Sequence, residues 1–124
     1  MYVFSFEKLE VWKNAKKLTI EIYQYTKRYP SEEKFGLTSQ MKRAATSVVS
    51  NIAEGTSRKT NKDKAHFTTM AYASLMELLN QLIISKELEY IDEQIYIEIR
   101  EKIEHIANQL NKLRSYQLGN GKNV

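Results

Sequence analysis

The sequence predicts an all-α protein, an antiparallel up-down-up-down four-helix bundle, and three observations support this prediction. The 124 residues include one proline and four glycines, so few positions interrupt regular secondary structure. Apolar residues recur every three or four positions in four separate segments, as on one face of an α-helix. Short connections join these segments and force each helix to pack antiparallel to the preceding one. An elongated coiled coil is the alternative, which the breakpoints between the segments disfavour.

The first helix is predicted from about Phe6 to Tyr29, where Pro30 stops it. Its apolar face consists of residues spaced by three or four positions: Val11, Ala15, Leu18, Ile22, Tyr25 and Tyr29. Ser31 then serves as a predicted N-cap of the second helix, with acidic residues in the first turn, where the helix dipole favours them.

The second helix has an equally regular apolar stripe: Leu37, Met41, Ala44, Ala45, Val48 and Ile52. Gly36 is a candidate irregularity near its start. Gly55 is the predicted C-terminal cap, because glycine is the residue that most often follows the last helical turn.

The third helix is predicted from about Asn61 to Leu88, with Thr60 and Asp63 resembling a capping box. Its apolar residues form two neighbouring stripes: Phe67, Ala71, Ser74, Leu78 and Leu82 in one, and Tyr72, Leu75, Leu79 and Ile83 in the other. This surface is wider than one bundle seam needs, so we expect the helix to bury two faces.

The fourth helix is predicted to start at the cap residue Asp92 and to end near Gln117. Its apolar stripe is regular throughout: Ile95, Ile99, Ile103, Ile106, Leu110 and Leu113. We therefore expect a single domain over residues 1–117 and a disordered tail over residues 118–124, which contain two glycines and two asparagines.

Composition narrows the class of protein further. A hydrophobic content of 42% is enough to form one core, and the absence of cysteine excludes disulfides, thiolate metal sites and cysteine nucleophiles. A chain without cysteine fits a reducing compartment, so we expect a cytoplasmic protein. No stretch reaches the roughly 20 apolar residues of a membrane span, and we expect no association with a membrane.

No combination of residues in the sequence matches a catalytic, cofactor or metal site. His105 follows Glu101 by one helical turn, but Lys102 occupies the position of the glutamate in a Glu-x-x-His metal pair. Ser47 and Ser50 lie in the middle of a predicted helix without the Gly-x-Ser-x-Gly turn of a serine nucleophile. We therefore expect a protein that is not an enzyme, with no cofactor and no metal.

Basic residues are concentrated in the first half of the chain. Residues 1–60 hold 11 Lys/Arg and 6 Asp/Glu, whereas residues 61–124 hold 8 and 9. Arg58, Lys59, Lys62 and Lys64 surround the predicted turn before the third helix, whose free N–H groups add positive potential. The pattern fits a phosphate-binding turn, and it also fits a basic turn that is simply solvated.

A second basic group, Lys13, Lys16 and Lys17, lies on the predicted outer side of the first helix. Trp12 and Tyr23 are nearby aromatic residues that could stack on bases, although aromatic residues at helical spacing more often belong to a core or an interface. The two basic groups together are the candidate nucleic-acid-binding residues.

A structural polar network is predicted between the second and third helices. Folding about the turn near residue 57 brings Arg43 and Glu77 close in register, so we expect an ion pair between them. Asn51 and Glu54 are expected to bond to the backbone and to Arg58. The members of this network are Gln40, Arg43, Asn51, Glu54 and Glu77.

Many of these residues belong to motifs of a known family. The motifs are Phe6-x-x-Leu9-x-Val11-Trp12-x-x-Ala15, Tyr29-Pro30-x-x-Glu33, Gly36-Leu37-x-x-Gln40-x-x-Arg43-Ala44-Ala45-x-Ser47, Asn51-Ile52-Ala53-Glu54-Gly55-x-x-Arg58 and Ala73-Ser74-x-x-Glu77-Leu78. With these motifs the chain resembles the four-helix bundle proteins encoded in intervening sequences of bacterial large-subunit ribosomal RNA genes. The resemblance extends to about Tyr116, and Ala73 stands where many relatives have glycine.

The resemblance implies a ring-like homopentamer and kinship with the accessory protein of diversity-generating retroelements, which binds nucleic acid and a reverse transcriptase. It implies no enzyme activity, and the wide apolar surface of the third helix agrees with an oligomer. Two functions are therefore expected as alternatives. One is an oligomeric protein that binds the RNA or DNA backbone through a basic surface, and the other is a scaffold or accessory subunit for a partner enzyme.

Overall fold

Four α-helices make up most of the described part of the chain, which is residues 1–119 of a computed structural model. They are α1 (Glu10–Thr26), α2 (Leu37–Thr56), α3 (Asn61–Glu87) and α4 (Glu93–Gln117). Short 3₁₀ helices, Ser5–Lys8 and Ser31–Glu33, precede α1 and α2. Each helix packs against two neighbours in the cyclic order α1, α2, α3, α4. The predicted four-helix bundle is confirmed.

One apolar core receives side chains from all four helices. Ile22, Met41, Leu78 and Ile103 are examples, one from each helix, and each is at most 1% exposed. Most residues of the predicted apolar stripes are buried in this core. The three- and four-residue spacing therefore identified the inward face of each helix correctly.

Helix α1 is shorter at both ends than predicted. At its start, the Phe4 N–H donates to Glu7 Oε2 at 2.8 Å, and Leu9 adopts an extended conformation that separates the 3₁₀ helix from α1. At its end, the Thr26 hydroxyl donates to the Ile22 carbonyl at 2.7 Å, and single turns carry the chain on to Tyr29. Burial raises the pKa of Tyr29, and a hydrogen bond with Ser85 partly offsets this effect.

Helix α2 starts at Leu37, so the prediction of Ser31 as its N-cap is wrong. The side chain of Glu33 instead satisfies a backbone N–H at the N-terminus of α2, because its Oε1 accepts the Leu37 N–H at 3.1 Å. The other carboxylate oxygen accepts the Tyr90 hydroxyl at 2.9 Å, and this bond raises the pKa of Tyr90. One carboxylate therefore ties the start of α2 to the α3–α4 connection.

Gly55 is buried inside α2 and is not the predicted C-terminal cap, because the helix continues to Thr56. A Cβ atom at this position would lie 3.0 Å from the Phe67 Cβ and 3.4 Å from the Lys64 carbonyl oxygen. Glycine is thus favoured by the close approach of α2 and α3 rather than by a left-handed turn.

The predicted caps of α3 and α4 are confirmed. Thr60 Oγ1 accepts the Asp63 N–H at 3.1 Å, and Asp92 Oδ1 accepts the Ile95 N–H at 2.8 Å. Of the predicted tail, Leu118 and Gly119 form a hydrogen-bonded turn after α4, and residues 120–124 lie outside the described residues.

The wide apolar surface of α3 is mostly covered within the chain. Leu75 and Leu78 are completely buried, and Tyr72 and Leu79 are half-buried against the same core, because α3 packs on both α2 and α4. Helix α3 therefore buries two faces, as predicted, but its neighbours supply most of the cover. The two predicted stripes therefore give little support for an oligomer, since all of their residues are buried or half-buried within the single chain.

Candidate nucleic-acid interface

The antiparallel packing places distant parts of the sequence at the same height in the bundle. Three hydrogen bonds between helices show which residues lie at the same height. The Thr19 hydroxyl donates to the Ala45 carbonyl at 3.2 Å, and Asn14 donates to Gln109 at 3.0 Å. The Ser47 and Ser74 hydroxyls bond to each other at 2.8 Å. These bonds divide the described chain into two halves. We call residues 1–18, 47–74 and 106–119 the basic end, and residues 19–46 and 75–105 the acidic end.

The charges of the protein are separated between these two ends. The basic end contains ten Lys/Arg and four Asp/Glu, a net charge of +6, whereas the acidic end contains eight and eleven, a net charge of −3. The cations of the basic end are Lys8, Lys13, Lys16, Lys17, Arg58, Lys59, Lys62, Lys64, Lys112 and Arg114. All seven predicted nucleic-acid-binding residues thus belong to the basic end.

The turn between α2 and α3 forms the outermost part of the basic end. Arg58, Lys59 and Lys62 are exposed, and Lys64 is half-buried. The Arg58 guanidinium lies over the Phe67 ring, 4.3 Å from its centroid, which fixes its position beside the start of α3. These side chains project beside the N-terminal N–H groups of α3, so the local potential favours anions.

The three lysines of α1, unlike the cations of the α2–α3 turn, lie close to carboxylates or to an aromatic ring. Lys13 pairs with Glu10 at 3.5 Å, and Lys17 lines a groove between α1 and α4 that also contains carboxylates. Lys16 lies over the Trp12 ring, 4.9 Å from its centroid, while Phe6 packs against the same indole edge to face. Trp12 is therefore packed against the core, the more frequent role of an aromatic residue at helical spacing, and is not an open stacking surface.

Two cations of the basic end, Lys112 and Arg114, were missed by the sequence prediction. The Arg114 Nε donates to the Thr69 hydroxyl at 2.8 Å, which brings the end of α4 beside the start of α3. The predicted topology was sufficient to place these two cations at the basic end. An up-down-up-down order already places the end of the fourth helix at the same end as the turn before the third helix.

The predicted ion pair between Arg43 and Glu77 is not formed. Glu77 accepts a hydrogen bond from Gln81 Nε2 at 3.3 Å, and Arg43 is exposed and lines a surface hollow together with Ser47. The four ion pairs among residues 1–119 involve other residues. Agreement in register along the two helices was therefore insufficient to predict an ion pair.

The rest of the predicted polar network is only partly formed. Asn51 Nδ2 donates to the Ser47 carbonyl at 2.9 Å and to its hydroxyl at 3.1 Å, while the Ser47 and Ser74 hydroxyls bond across α2 and α3. Gln40 and Glu54 are exposed, and within residues 1–119 neither side chain has a hydrogen-bond partner. The network is centred on Ser47, which was not among its predicted members.

Comparison with known proteins places the chain in a family. The sequence model of the 23S rRNA-intervening sequence protein family matches residues 7–112. The chain belongs to this family. Its motifs in α2 and α3 therefore identified the correct family, and among curated proteins no sequence matches significantly.

A solved structure supports the fold of this intervening-sequence family member. A protein of unknown function from the S23 ribosomal protein family of Bacteroides thetaiotaomicron VPI-5482, solved at 1.70 Å resolution, matches with a TM-score of 0.76. The two proteins are 20% identical, and the match covers 84% of this chain and 97% of the other. At this identity the similarity concerns the fold alone.

The two histidines of this family member lie apart on the surface. His66 packs against Phe67, whereas His105 lines the α1–α4 groove of about 630 Å³ with Lys102 and several glutamates. Within residues 1–119, no group of three or more His, Asp or Glu side chains has an arrangement that could hold a metal ion. In the same residues, no helix has both the length and the apolar character needed to cross a membrane.

Proposed function

We propose that this protein is a non-catalytic nucleic-acid-binding protein whose basic end contacts the phosphate backbone of RNA or DNA. The supporting observation is the separation of charge along the bundle, with +6 at one end and −3 at the other. A phosphate backbone approaching the basic end meets attractive charge, whereas the same backbone is repelled at the acidic end. The modest overall charge of +4 conceals this difference.

The side chains of the basic end are suited to phosphate rather than to base contacts. Lys59 and Lys62 are exposed and form none of the four ion pairs of residues 1–119. Flexible lysines contact phosphates as point charges and carry little sequence information. We therefore expect binding that depends strongly on salt and weakly on sequence.

Reversing the charge of the α2–α3 turn should weaken binding. In the double variant Lys59→Glu/Lys62→Glu, the loss of two phosphate contacts should lower affinity for a short RNA or DNA duplex by about 10- to 100-fold at about 50 mM salt. The slope of log K against log salt should also fall by about 2, since each phosphate contact contributes about 0.9. Fluorescence anisotropy across a salt series measures both quantities.

The matched control reverses two cations at the acidic end, Arg28→Glu and Lys86→Glu, and thus changes the net charge equally. This control should retain most of the duplex affinity, because both residues are remote from the basic end. Equal losses in the two variants would show that only total charge matters. Absence of any binding at low salt would overturn the proposal and favour the scaffold function.

The proposal includes self-association. The N-terminal segment Met1–Phe4 exposes four large apolar side chains, and Met70 and Ile84 on α3 are 39% and 41% exposed. Exposed apolar side chains such as these are typical of contacts between subunits. We expect an oligomer, a pentamer if the protein follows the resemblance, and a measured monomer mass in solution at working concentration would contradict this.

A further inference from the structure

A groove lies along the outer side of α1 and α2, mostly at the acidic end of the bundle. It consists of two joined hollows of about 620 and 460 Å³, which share Tyr23 and Thr46. We call it the aromatic groove, since Tyr23 is 42% exposed and Phe35 is 88% exposed. Ile20, also exposed, extends its apolar surface.

The rim of the aromatic groove is positively charged although it lies at the acidic end. The lining residues include four cations: Lys27, Lys34, Lys42 and Arg43. Five serines and threonines also line it, and within the described chain none of its lining residues is acidic. Arg43, which the sequence predicted to pair with Glu77, is here available to a ligand.

A lysine lies over each of the two aromatic rings of this groove. Lys34 Nζ lies 5.5 Å from the centroid of Phe35, and Lys42 Nζ lies 5.0 Å from that of Tyr23. Each pair offers a flat apolar face next to a positive charge. A nucleotide has the complementary combination, an aromatic base linked to a phosphate.

We propose that the aromatic groove binds single-stranded nucleic acid, with unpaired bases stacking on Phe35 and Tyr23 and phosphates contacting the surrounding cations. Phe35 projects from the surface, so it offers a ring face for stacking rather than a cavity for a side chain to fill. Bases within a duplex are already stacked on each other and have no free face for these rings. This inference shares with the proposed function only the class of ligand, because none of the four cations of the groove belongs to the basic end.

Substitution of Phe35 should separate single-stranded from double-stranded binding. Phe35→Ala is expected to weaken binding of a uridine oligonucleotide by about 5- to 150-fold, the range for loss of one base–aromatic stack. Binding of a duplex of equal length should be unchanged. Fluorescence anisotropy with both probes measures the two affinities. Because Phe35 is highly exposed, its substitution should not unfold the protein, and a loss of binding then reports the lost contact.

Two further variants test the chemistry of the contact. Phe35→Leu keeps an apolar side chain but removes the flat ring, so it should bind the oligonucleotide as weakly as Phe35→Ala. Phe35→Tyr keeps the ring and should bind about as well as the unmodified protein. If Phe35→Leu binds the oligonucleotide as tightly as the unmodified protein, the contact needs only an apolar side chain and not a flat ring, and the proposal is overturned.

The remaining outcomes are equally informative. If Phe35→Ala lowers the mass of the protein in solution and leaves oligonucleotide binding unchanged, the groove is a contact between copies of this chain and the inference is wrong. If Lys59→Glu/Lys62→Glu retains full duplex affinity while Phe35→Ala loses single-strand affinity, the proposed role of the basic end fails and the aromatic groove stands.

Discussion

Replacing Leu78 with alanine is expected to lower the free energy of unfolding by about 2–5 kcal/mol. Leu78 is completely buried at the centre of α3, the helix that packs on both α2 and α4. Truncation removes apolar surface that had been transferred from water and leaves a cavity that rigid neighbouring helices cannot close fully. Urea denaturation followed by circular dichroism measures the change as a lower midpoint at constant slope.

Ile84→Ala is the matched control because Ile84 lies on the same helix but is 41% exposed. Its free energy of unfolding should fall by less than about 1 kcal/mol if the protein is monomeric under the conditions used. A larger loss that depends on protein concentration would show that Ile84 is covered by another copy, since association adds to apparent stability. A small effect of Leu78→Ala would contradict the position of α3 in the core.

Features of the fold that depend on a few adjacent residues could be predicted from the sequence. The cap of α3 by Thr60 and that of α4 by Asp92 each involve a side chain and an N–H three residues later. The inward helix faces follow from spacing alone. The start of α2 could not be predicted in this way, because Glu33 bonds both to Leu37 and to a tyrosine 57 positions away.

The candidate site was predicted in part, for a similar reason. The basic turn around Arg58 and Lys59 consists of residues that are adjacent in the sequence, so the sequence was sufficient to predict it. The contribution of Arg114 requires the end of α4 to lie against α3, and the aromatic groove requires α1 and α2 to place Tyr23 beside Phe35. The position of Arg114 follows from the predicted topology, whereas the grouping of Tyr23 and Phe35 arises from tertiary packing that composition and periodicity do not describe.

Gly55→Leu is expected to destabilise the protein by about 1–3 kcal/mol, although leucine is normally a better helix former than glycine by nearly 1 kcal/mol. The Cβ alone would lie 3.0 Å from the Phe67 Cβ, so α2 and α3 must separate to admit a larger side chain. Because Phe67 also supports the Arg58 guanidinium, the separation should disturb the basic turn as well. Denaturant midpoints and duplex affinity are the two measurements.

A control on the exposed side of the same helix distinguishes close packing from helix propensity. Ser50→Leu introduces the same side chain into α2 and should leave stability unchanged or slightly higher, because Ser50 faces solvent. In the Phe67→Ala background, Gly55→Leu should still destabilise the protein, because alanine keeps the Cβ atom that lies 3.0 Å from the new Cβ, and only the part of leucine beyond its Cβ gains space. If Gly55→Leu instead stabilises the protein, the close approach of the helices does not exist, and Gly55 does not help to hold Arg58 at the basic end.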